Sequence, residues 1–148
     1  MAGGLDSGHE FTGHNSPLYG SPEEQNPDSP GYRMNIDYSI QFFLESGAKK
    51  SQLLVGLATY GRGFELTDPN NNGIYAAASN GIQAAPYTNA LGYWGYNEIC
   101  NTVLLDSEIG DWTIVRDEYI EAPYAVKGRD WIGYDDEESI NFIILSYN

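Results

Sequence analysis

The chain has 148 residues, a formal net charge of −14 at pH 7 and a single cysteine. Its length corresponds to about one domain, and 41% hydrophobic residues exclude a wholly disordered chain. The strong negative charge argues against a nucleic acid or an anionic membrane as partner, since both attract cationic surfaces. No apolar run reaches the length of a membrane-spanning helix.

The first third of the chain begins with a region of low aliphatic content. Residues 1–33 are rich in Gly, Ser, Pro, Asn and Asp, which predicts a flexible loop. Both histidines, His9 and His14, lie there, five positions apart. No matching cysteine or carboxylate pattern accompanies them, so we expect no metal site.

A helix is predicted from Asn35 to Gly47. Asn35 is a good N-cap, and Gly47 can adopt the left-handed conformation that ends helices. Between them, one face carries the apolar residues Ile36, Ile40, Phe43 and Leu44.

The stretch from Leu53 to Phe64 reads LLVGLATYGRGF. Its first part, Leu53–Ala58, is apolar without alternation, which is typical of a strand buried on both faces; Gly56 argues against a helix. Tyr60 and Arg62 follow at the carboxyl end, where α/β barrels bind ligands. The alternative is a strand exit that merely ends in a capping cation.

The middle of the chain is less regular. Residues 67–90 are rich in Asn, Gly, Ala and Pro, and Asp68 opens a stretch that imitates a calcium loop. That loop needs glutamate at its twelfth position, where this chain has Ser79, so we do not expect calcium binding. Tyr93–Leu105 is predicted to be a helix that packs Tyr96, Ile99, Cys100 and Val103 on one side.

The last third predicts strands followed by a helix. Trp112–Tyr119 and Ala122–Lys127 alternate weakly. Lys127, Gly128, Arg129 and Asp130 make a four-residue turn, and Asp130–Tyr134 follows as another strand, so together these segments suggest a hairpin or an antiparallel meander. A final helix follows from Glu137 to about Leu145. We interpret the acidic cluster at residues 135–138 as capping and solvated carboxylates rather than as an acid/base site.

Four separated motifs occur in an order that resembles glycoside hydrolase family 18, above all the secreted animal-type chitinases and chitinase-like lectins. They are TGHNSPLY (12–19), LESGAKKSQLLVGLATYGRGF (44–64), GYNEIC (95–100) and PYAVKGRDWIGYDDEES (123–139). The resemblance covers nearly the whole chain. It implies an α/β plus α+β fold, in which part of a (β/α)₈ TIM barrel around strand seven carries an α+β chitinase insertion domain.

The resemblance also implies domain limits. Residues 1–64 would be the barrel segment, with Asn35–Ser46 as the helix before strand seven and Leu53–Tyr60 as that strand. Residues 65–136 would be the insertion domain, with Trp94, Trp112 and Trp131 in its core. Residues 137–148 would start the final barrel helix.

By the family pattern, Tyr60 and Arg62 face the substrate cleft and hydrogen-bond sugar and acetamido groups, and Tyr93 lines the cleft from the insertion domain. The implied ligand is chitin or a chitooligosaccharide, with no cofactor and no metal. The parent protein would be secreted. The twelve tyrosines and three tryptophans suit either sugar stacking or a core.

The sequence departs from the family pattern in important places. The acidic run DxxDxDxE, which supplies the catalytic acid, does not occur in these residues, and neither does the Tyr-Asp pair of strand six or the tryptophan of strand eight. The family's partner for Cys100 lies near that eighth strand. We therefore expect no catalytic residue here and an inactive fragment of a chitinase. The alternatives are a chitinase-like lectin and a fragment in which only the insertion domain folds.

Overall fold

The computed structural model of the chain describes residues 11–24, 26–29, 31–79, 81–105 and 111–147. A six-stranded sheet forms its centre, in the order β2-β1-β6-β5-β4, and β3 pairs with β1 beside β2. All these pairings are antiparallel. The strands are β1 (Tyr60–Leu66), β2 (Ala78–Ser79), β3 (Tyr93–Gly95), β4 (Thr113–Asp117), β5 (Ala122–Lys127) and β6 (Asp130–Gly133).

The antiparallel meander predicted near the carboxyl end is confirmed. β4 pairs with β5, and β5 pairs with β6. Lys127 lies opposite Asp130, so only Gly128 and Arg129 connect the last two strands. Gly128 has φ of +60°, which a glycine adopts without steric cost and which a tight hairpin connection requires.

Both faces of the sheet are covered by apolar side chains. The first face carries one cluster and the second face another, since neighbouring residues of a strand point to opposite faces. The first cluster comprises Phe64, Leu66, Ala76, Ala78, Tyr124, Val126 and Trp131. The second comprises Ile82, Ile99, Val103, Trp112, Ala125, Ile132 and Tyr134, with Trp94 partly buried against it. The predicted burial is therefore confirmed for Trp112 and Trp131, whereas Trp94 is only partly buried.

A third, smaller cluster joins three separate segments. Helix α1 (Ile36–Glu45) contributes Ile36, the final helix α3 (Glu137–Ser146) contributes Ile143, and the amino-terminal segment contributes Leu18. Tyr147 Oη donates a hydrogen bond of 2.8 Å to Asp37 Oδ1 beside them. This cluster fixes the two helices against each other.

Helix α1 has the predicted end residues. The Asn35 side chain accepts a hydrogen bond of 2.7 Å from the amide of Tyr38, and Gly47 has φ of +94°. The first contact satisfies an amide that has no partner within the helix, and the second ends the helix without strain.

Removing the cap of α1 should lower stability moderately. We expect Asn35→Ala to lower the free energy of unfolding by about 1 kcal/mol, because Asn35 is buried and its side-chain acceptor is lost. Asn35→Ser keeps a capping oxygen and is the matched control. Urea unfolding followed by circular dichroism measures both variants, and equal stabilities of the Ala and Ser variants would contradict the cap's role.

The acidic cluster before α3 is partly as predicted. Asp136 is the N-cap and accepts a hydrogen bond of 2.9 Å from the amide of Ser139. It also pairs with Arg116 of β4. Asp135 is not solvated, however: its side chain is buried and accepts a hydrogen bond of 2.9 Å from Ser139 Oγ. Burial raises the pKa of the Asp135 carboxyl, while His14 and the seryl hydrogen bonds oppose that rise.

The strand predicted for Leu53–Ala58, or for Leu53–Tyr60 as strand seven, is wrong for this structure. Residues 53–59 have no regular secondary structure, and the first strand begins at Tyr60. The Leu54 side chain is 98% exposed. An apolar run forms a strand only where neighbouring strands accept and donate its backbone hydrogen bonds, and the described residues place no strand beside it.

The helix predicted for Tyr93–Leu105 begins later than expected. Tyr93–Gly95 form β3, because they pair with β1. Helix α2 (Tyr96–Ile99) follows and continues as a π-helical turn over Cys100–Leu104. Ile99 and Val103 do point into the core as predicted, and Tyr96 packs partly buried against them. Cys100 is a free thiol of intermediate exposure.

Within the described ranges, no helix combines the length and the apolar character that crossing a bilayer requires.

Candidate functional site

The three predicted binding residues lie together at one end of the sheet. Tyr60 and Arg62 are two positions apart on β1 and so share one face, and Tyr93 of β3 lies directly opposite Arg62. The rings of Tyr60 and Tyr93 stack with centroids 4.6 Å apart and planes inclined by 29°. Arg62 Cζ lies 5.3 Å from the Tyr93 ring centroid, within range of a cation–π interaction. We call Tyr60, Arg62 and Tyr93 the aromatic–arginine cluster.

One donor of this cluster is unused. Arg62 Nε is buried and has no hydrogen-bond partner within the described ranges. A buried donor without an acceptor costs free energy, and such groups are uncommon in native structures. Nε therefore has an unmet hydrogen-bonding capacity, and because it is buried, an acceptor reaches it only when the side chains that cover it move.

A residue from the amino-terminal segment completes the cluster. Tyr60 Oη donates to Asn15 Oδ1 at 3.3 Å, and Asn15 Nδ2 donates to Ser16 Oγ at 3.3 Å. Asn15 is buried although it lies in a segment predicted as loop. Its only signal in the sequence was its place in the motif TGHNSPLY.

The segment that carries Asn15 is anchored to the sheet. His14 is buried, and its Nε2 donates to the Tyr134 carbonyl at 2.7 Å while Nδ1 accepts from the Ser16 amide at 3.3 Å. The expectation that His14 belongs to a flexible stretch is therefore wrong, because its ring is fixed on both sides. His9 lies outside the described residues. Over the part of the chain that is described, no group of three or more His, Cys, Asp or Glu residues could hold a metal ion.

A buried carboxylate holds the strand that carries Tyr93. Glu98 accepts hydrogen bonds from the amides of Tyr87 (2.7 Å), Thr88 (3.1 Å) and Gly95 (2.9 Å) and from Thr88 Oγ1 (2.8 Å). Thr88 Oγ1 also lies 2.9 Å from the Tyr93 carbonyl oxygen, so its single proton is shared between that carbonyl and the Glu98 carboxylate. Sequence reasoning missed Glu98 as a structural group, although it lies in the motif GYNEIC.

The environment of Glu98 favours its charged form. Burial alone would raise the pKa of the Glu98 carboxyl, but the hydrogen bonds from Tyr87, Gly95 and Thr88 outweigh burial and lower the pKa below its ordinary value. The carboxylate is therefore ionised at neutral pH and acts as an acceptor only.

This pKa shift predicts a pH dependence of stability. Because the folded-state pKa is lowered, Glu98 stabilises the fold above the ordinary pKa of a glutamate, and this contribution is lost as the pH falls through the folded-state value. We expect Glu98→Gln to be less stable than wild type at pH 7 and to lose less stability on acidification. Glu118→Gln, at an exposed glutamate, is the control. Unfolding curves from pH 7 to acid measure this, and parallel wild-type and Glu98→Gln profiles would contradict it.

A groove opens beside the cluster. It has a volume of about 520 Å³, and Asn15 and Tyr60 are among the residues that line it. Ser16 and Ser39 also line it, and most of the remaining lining is apolar and comes from α1 and the irregular segment 53–58: Ile36, Ile40, Phe43, Leu53, Leu54, Val55, Gly56, Leu57 and Ala58. The groove therefore combines the polar groups of Asn15 and Tyr60 with a mainly apolar lining.

Comparison with known proteins identifies the class to which this fold belongs. The structure of the Group IV chitinase of Ostrinia furnacalis superposes with a TM-score of 0.85 at 31% identity, covering 95% of this chain and 37% of that one. Human YKL-39, described as a pseudo-chitinase with retained chitooligosaccharide binding, superposes with a TM-score of 0.81 at 31% identity, covering 93% and 35%. Both catalytic and non-catalytic chitinase folds are thus similar to this chain.

The sequence comparisons give the family. The sequence model of glycosyl hydrolases family 18 matches residues 3–146. An endochitinase of Manduca sexta is 38% identical over 134 residues, which is 88% of this chain but 23% of that protein. The chain belongs to glycosyl hydrolase family 18, and it spans about a quarter of that relative's length. The predicted family is therefore confirmed.

Proposed function

We propose that the aromatic–arginine cluster is part of a cleft that binds β-1,4-linked N-acetylglucosamine chains. The observation that carries the proposal is the unused Arg62 Nε beside two stacked tyrosine rings. Tyrosine rings offer flat apolar faces to a sugar, and a guanidinium donates to hydroxyl and acetamido oxygens. The chitooligosaccharide binding named for YKL-39 agrees with this ligand class.

In this proposal the 148 residues are the carboxyl-terminal part of a (β/α)₈ barrel with its insertion domain. Residues 53–60 become strand seven when the other strands pair with them, residues 65–136 form the insertion domain, and residues 137–148 begin the last barrel helix. The exposure of Leu54 and Leu57 supports this, because each large aliphatic side chain gains about 1.5–3 kcal/mol on burial. The strands of the sheet lie between Tyr60 and Gly133 in the sequence. The proposed boundary between the barrel segment and the insertion domain, at residue 64, therefore falls within β1.

The proposed activity belongs to the longer protein. There a protonated glutamate donates its proton to the glycosidic oxygen, and the substrate's own N-acetyl oxygen attacks the anomeric carbon, so that the configuration is retained. The run DxxDxDxE that holds this glutamate does not occur in these 148 residues. General acid catalysis contributes about 10²- to 10⁴-fold, and we therefore propose that these residues alone do not hydrolyse chitin. The parent protein is proposed to be extracellular.

The second candidate function is a chitinase-like lectin that binds sugar without hydrolysis. The likeness to YKL-39, a pseudo-chitinase by its description, favours it as much as the likeness to the endochitinase favours an enzyme. The deciding residue is the glutamate at the acid position of the upstream strand.

Hydrolysis and binding of chitooligosaccharides separate these possibilities. We expect the full-length protein to bind chitotetraose, to cleave it if the upstream glutamate is present, and to lose cleavage but not binding when that glutamate is replaced by glutamine. Binding without cleavage by the unaltered protein identifies the lectin. Cleavage by the 148 residues alone would contradict the proposal.

A further inference from the structure

An exposed aromatic residue lies on the loop before β3, and its backbone is hydrogen-bonded to a buried carboxylate. The Tyr87 side chain is 78% exposed, yet its backbone amide donates to Glu98 at 2.7 Å. The next residue, Thr88, donates its amide to the same carboxylate, and its Oγ1 lies 2.8 Å from a carboxylate oxygen. Exposing an aromatic ring to water is unfavourable, and the hydrogen bond to Glu98 holds the backbone of Tyr87 in place without burying its ring.

The loop lies on the same face of the sheet as the aromatic–arginine cluster. Gly95 is the strand partner of Tyr60, so a Cβ on Gly95 would point to the face that carries Tyr60. That position is 3.4 Å from Thr88 Cγ2. The loop at Thr88 therefore lies on the face of the sheet that carries the Tyr60 side chain, and not on the face that packs into the second core cluster.

The loop also contacts Tyr93 directly, through the side chain of Thr88. Thr88 Oγ1 lies 2.9 Å from the Tyr93 carbonyl oxygen, within hydrogen-bond distance. Adding the bond lengths on each side places the Cα atoms of Tyr87 and Tyr93 no more than roughly 12 Å apart. A sugar chain of a few units bound at the cluster can span that distance.

We propose that Tyr87 is a further carbohydrate-stacking residue, which extends the binding surface of the aromatic–arginine cluster toward an additional sugar of a longer chain. The inference rests on the proposed function. Its ligand is a β-linked N-acetylhexosamine chain long enough to reach from Tyr93 to Tyr87. Glu98 is then a positioning residue for both tyrosines, since it holds the amide of Tyr87 and the strand of Tyr93 through Gly95.

The test is isothermal titration of the full-length protein, carrying a replaced general acid so that the ligand survives, with chitobiose and chitohexaose. We expect Tyr87→Ala to weaken chitohexaose binding about three- to tenfold, from the contribution of one aromatic contact, and to leave chitobiose binding unchanged. Tyr87→Trp should restore the hexamer affinity. Tyr119→Ala is the matched control, because Tyr119 is an exposed tyrosine on the turn between β4 and β5.

The outcomes distinguish this inference from the proposed function. Alanine at position 87 keeps the backbone amide that Glu98 accepts, so the variant should unfold at the wild-type temperature. Hexamer affinity equal to that of wild type, or an equal loss for both ligands, overturns the role of Tyr87 alone. Failure of the wild-type protein to bind either ligand overturns the proposed function and this inference with it.

Discussion

Replacing Arg62 by alanine should weaken chitooligosaccharide binding by the full-length protein about 10- to 100-fold. Hydrogen bonds that involve a charged group contribute about 1.5–3 kcal/mol, which corresponds to this range. The unbound protein should lose little stability, because Arg62 Nε has no partner within the described part of the chain that the substitution would leave unsatisfied. Titration with chitotetraose measures the change.

The controls for Arg62 separate charge from geometry. Arg62→Lys keeps the positive charge near Tyr93 but loses the planar guanidinium, so we expect an intermediate affinity. Arg129→Ala removes a half-exposed arginine on the opposite end of β6, where its Nε donates to the Leu66 carbonyl at 2.7 Å, and should leave binding unchanged. An Arg62→Ala variant that binds chitotetraose with wild-type affinity would show that Arg62 does not contact the ligand.

Replacing Trp131 by alanine should have the largest effect on stability. The Trp131 side chain is fully buried, stacks on Tyr124 with centroids 5.1 Å apart and contacts Phe64 edge to face at 5.7 Å. Its Nε1 donates to the Asn72 carbonyl at 3.1 Å. Truncating a buried tryptophan costs about 3–5 kcal/mol, which is a large part of the stability of a typical domain.

Urea unfolding followed by far-ultraviolet circular dichroism measures the effect of Trp131→Ala. Trp131→Phe retains much of the packing and loses the hydrogen bond, so its loss of stability should be clearly smaller. Tyr119→Ala, at an exposed position, should change the free energy of unfolding by no more than about 0.5 kcal/mol. A Trp131→Ala variant as stable as Tyr119→Ala would show that this cluster does not hold the sheet together.

The parts of the fold that follow from local sequence were predictable. The cap of α1 at Asn35, the glycine at 128 and the meander over β4 to β6 depend on residues close together in the chain, where capping and turn geometry decide the outcome. The same holds for the final helix, whose N-cap Asp136 is adjacent to its acidic first turn.

The parts that depend on distant partners were not predictable. The run Leu53–Ala58 reads as a buried strand, but a strand requires partners and the described residues supply none. Tyr93–Gly95 read as helix, and pairing with β1 overrides that preference. His14 and Asn15 read as loop residues, and their burial depends on contacts with Tyr134 and Tyr60 far along the chain.

The site was predictable in its residues but not in its construction. Tyr60, Arg62 and Tyr93 came from the family pattern, and the structure brings them together through the β1–β3 pairing. Their roles in binding remain a prediction. Glu98 carried no separate signal, because its function depends on three amides from two other segments.

The most direct measurement is a crystal structure of the full-length protein, with its general acid replaced, bound to chitotetraose. A sugar ring should lie against Tyr60 or Tyr93, and Arg62 Nε should donate to an oxygen of the ligand. Ligand bound elsewhere in the protein, with Arg62 Nε still unpaired and the two tyrosine rings uncovered, would contradict the account.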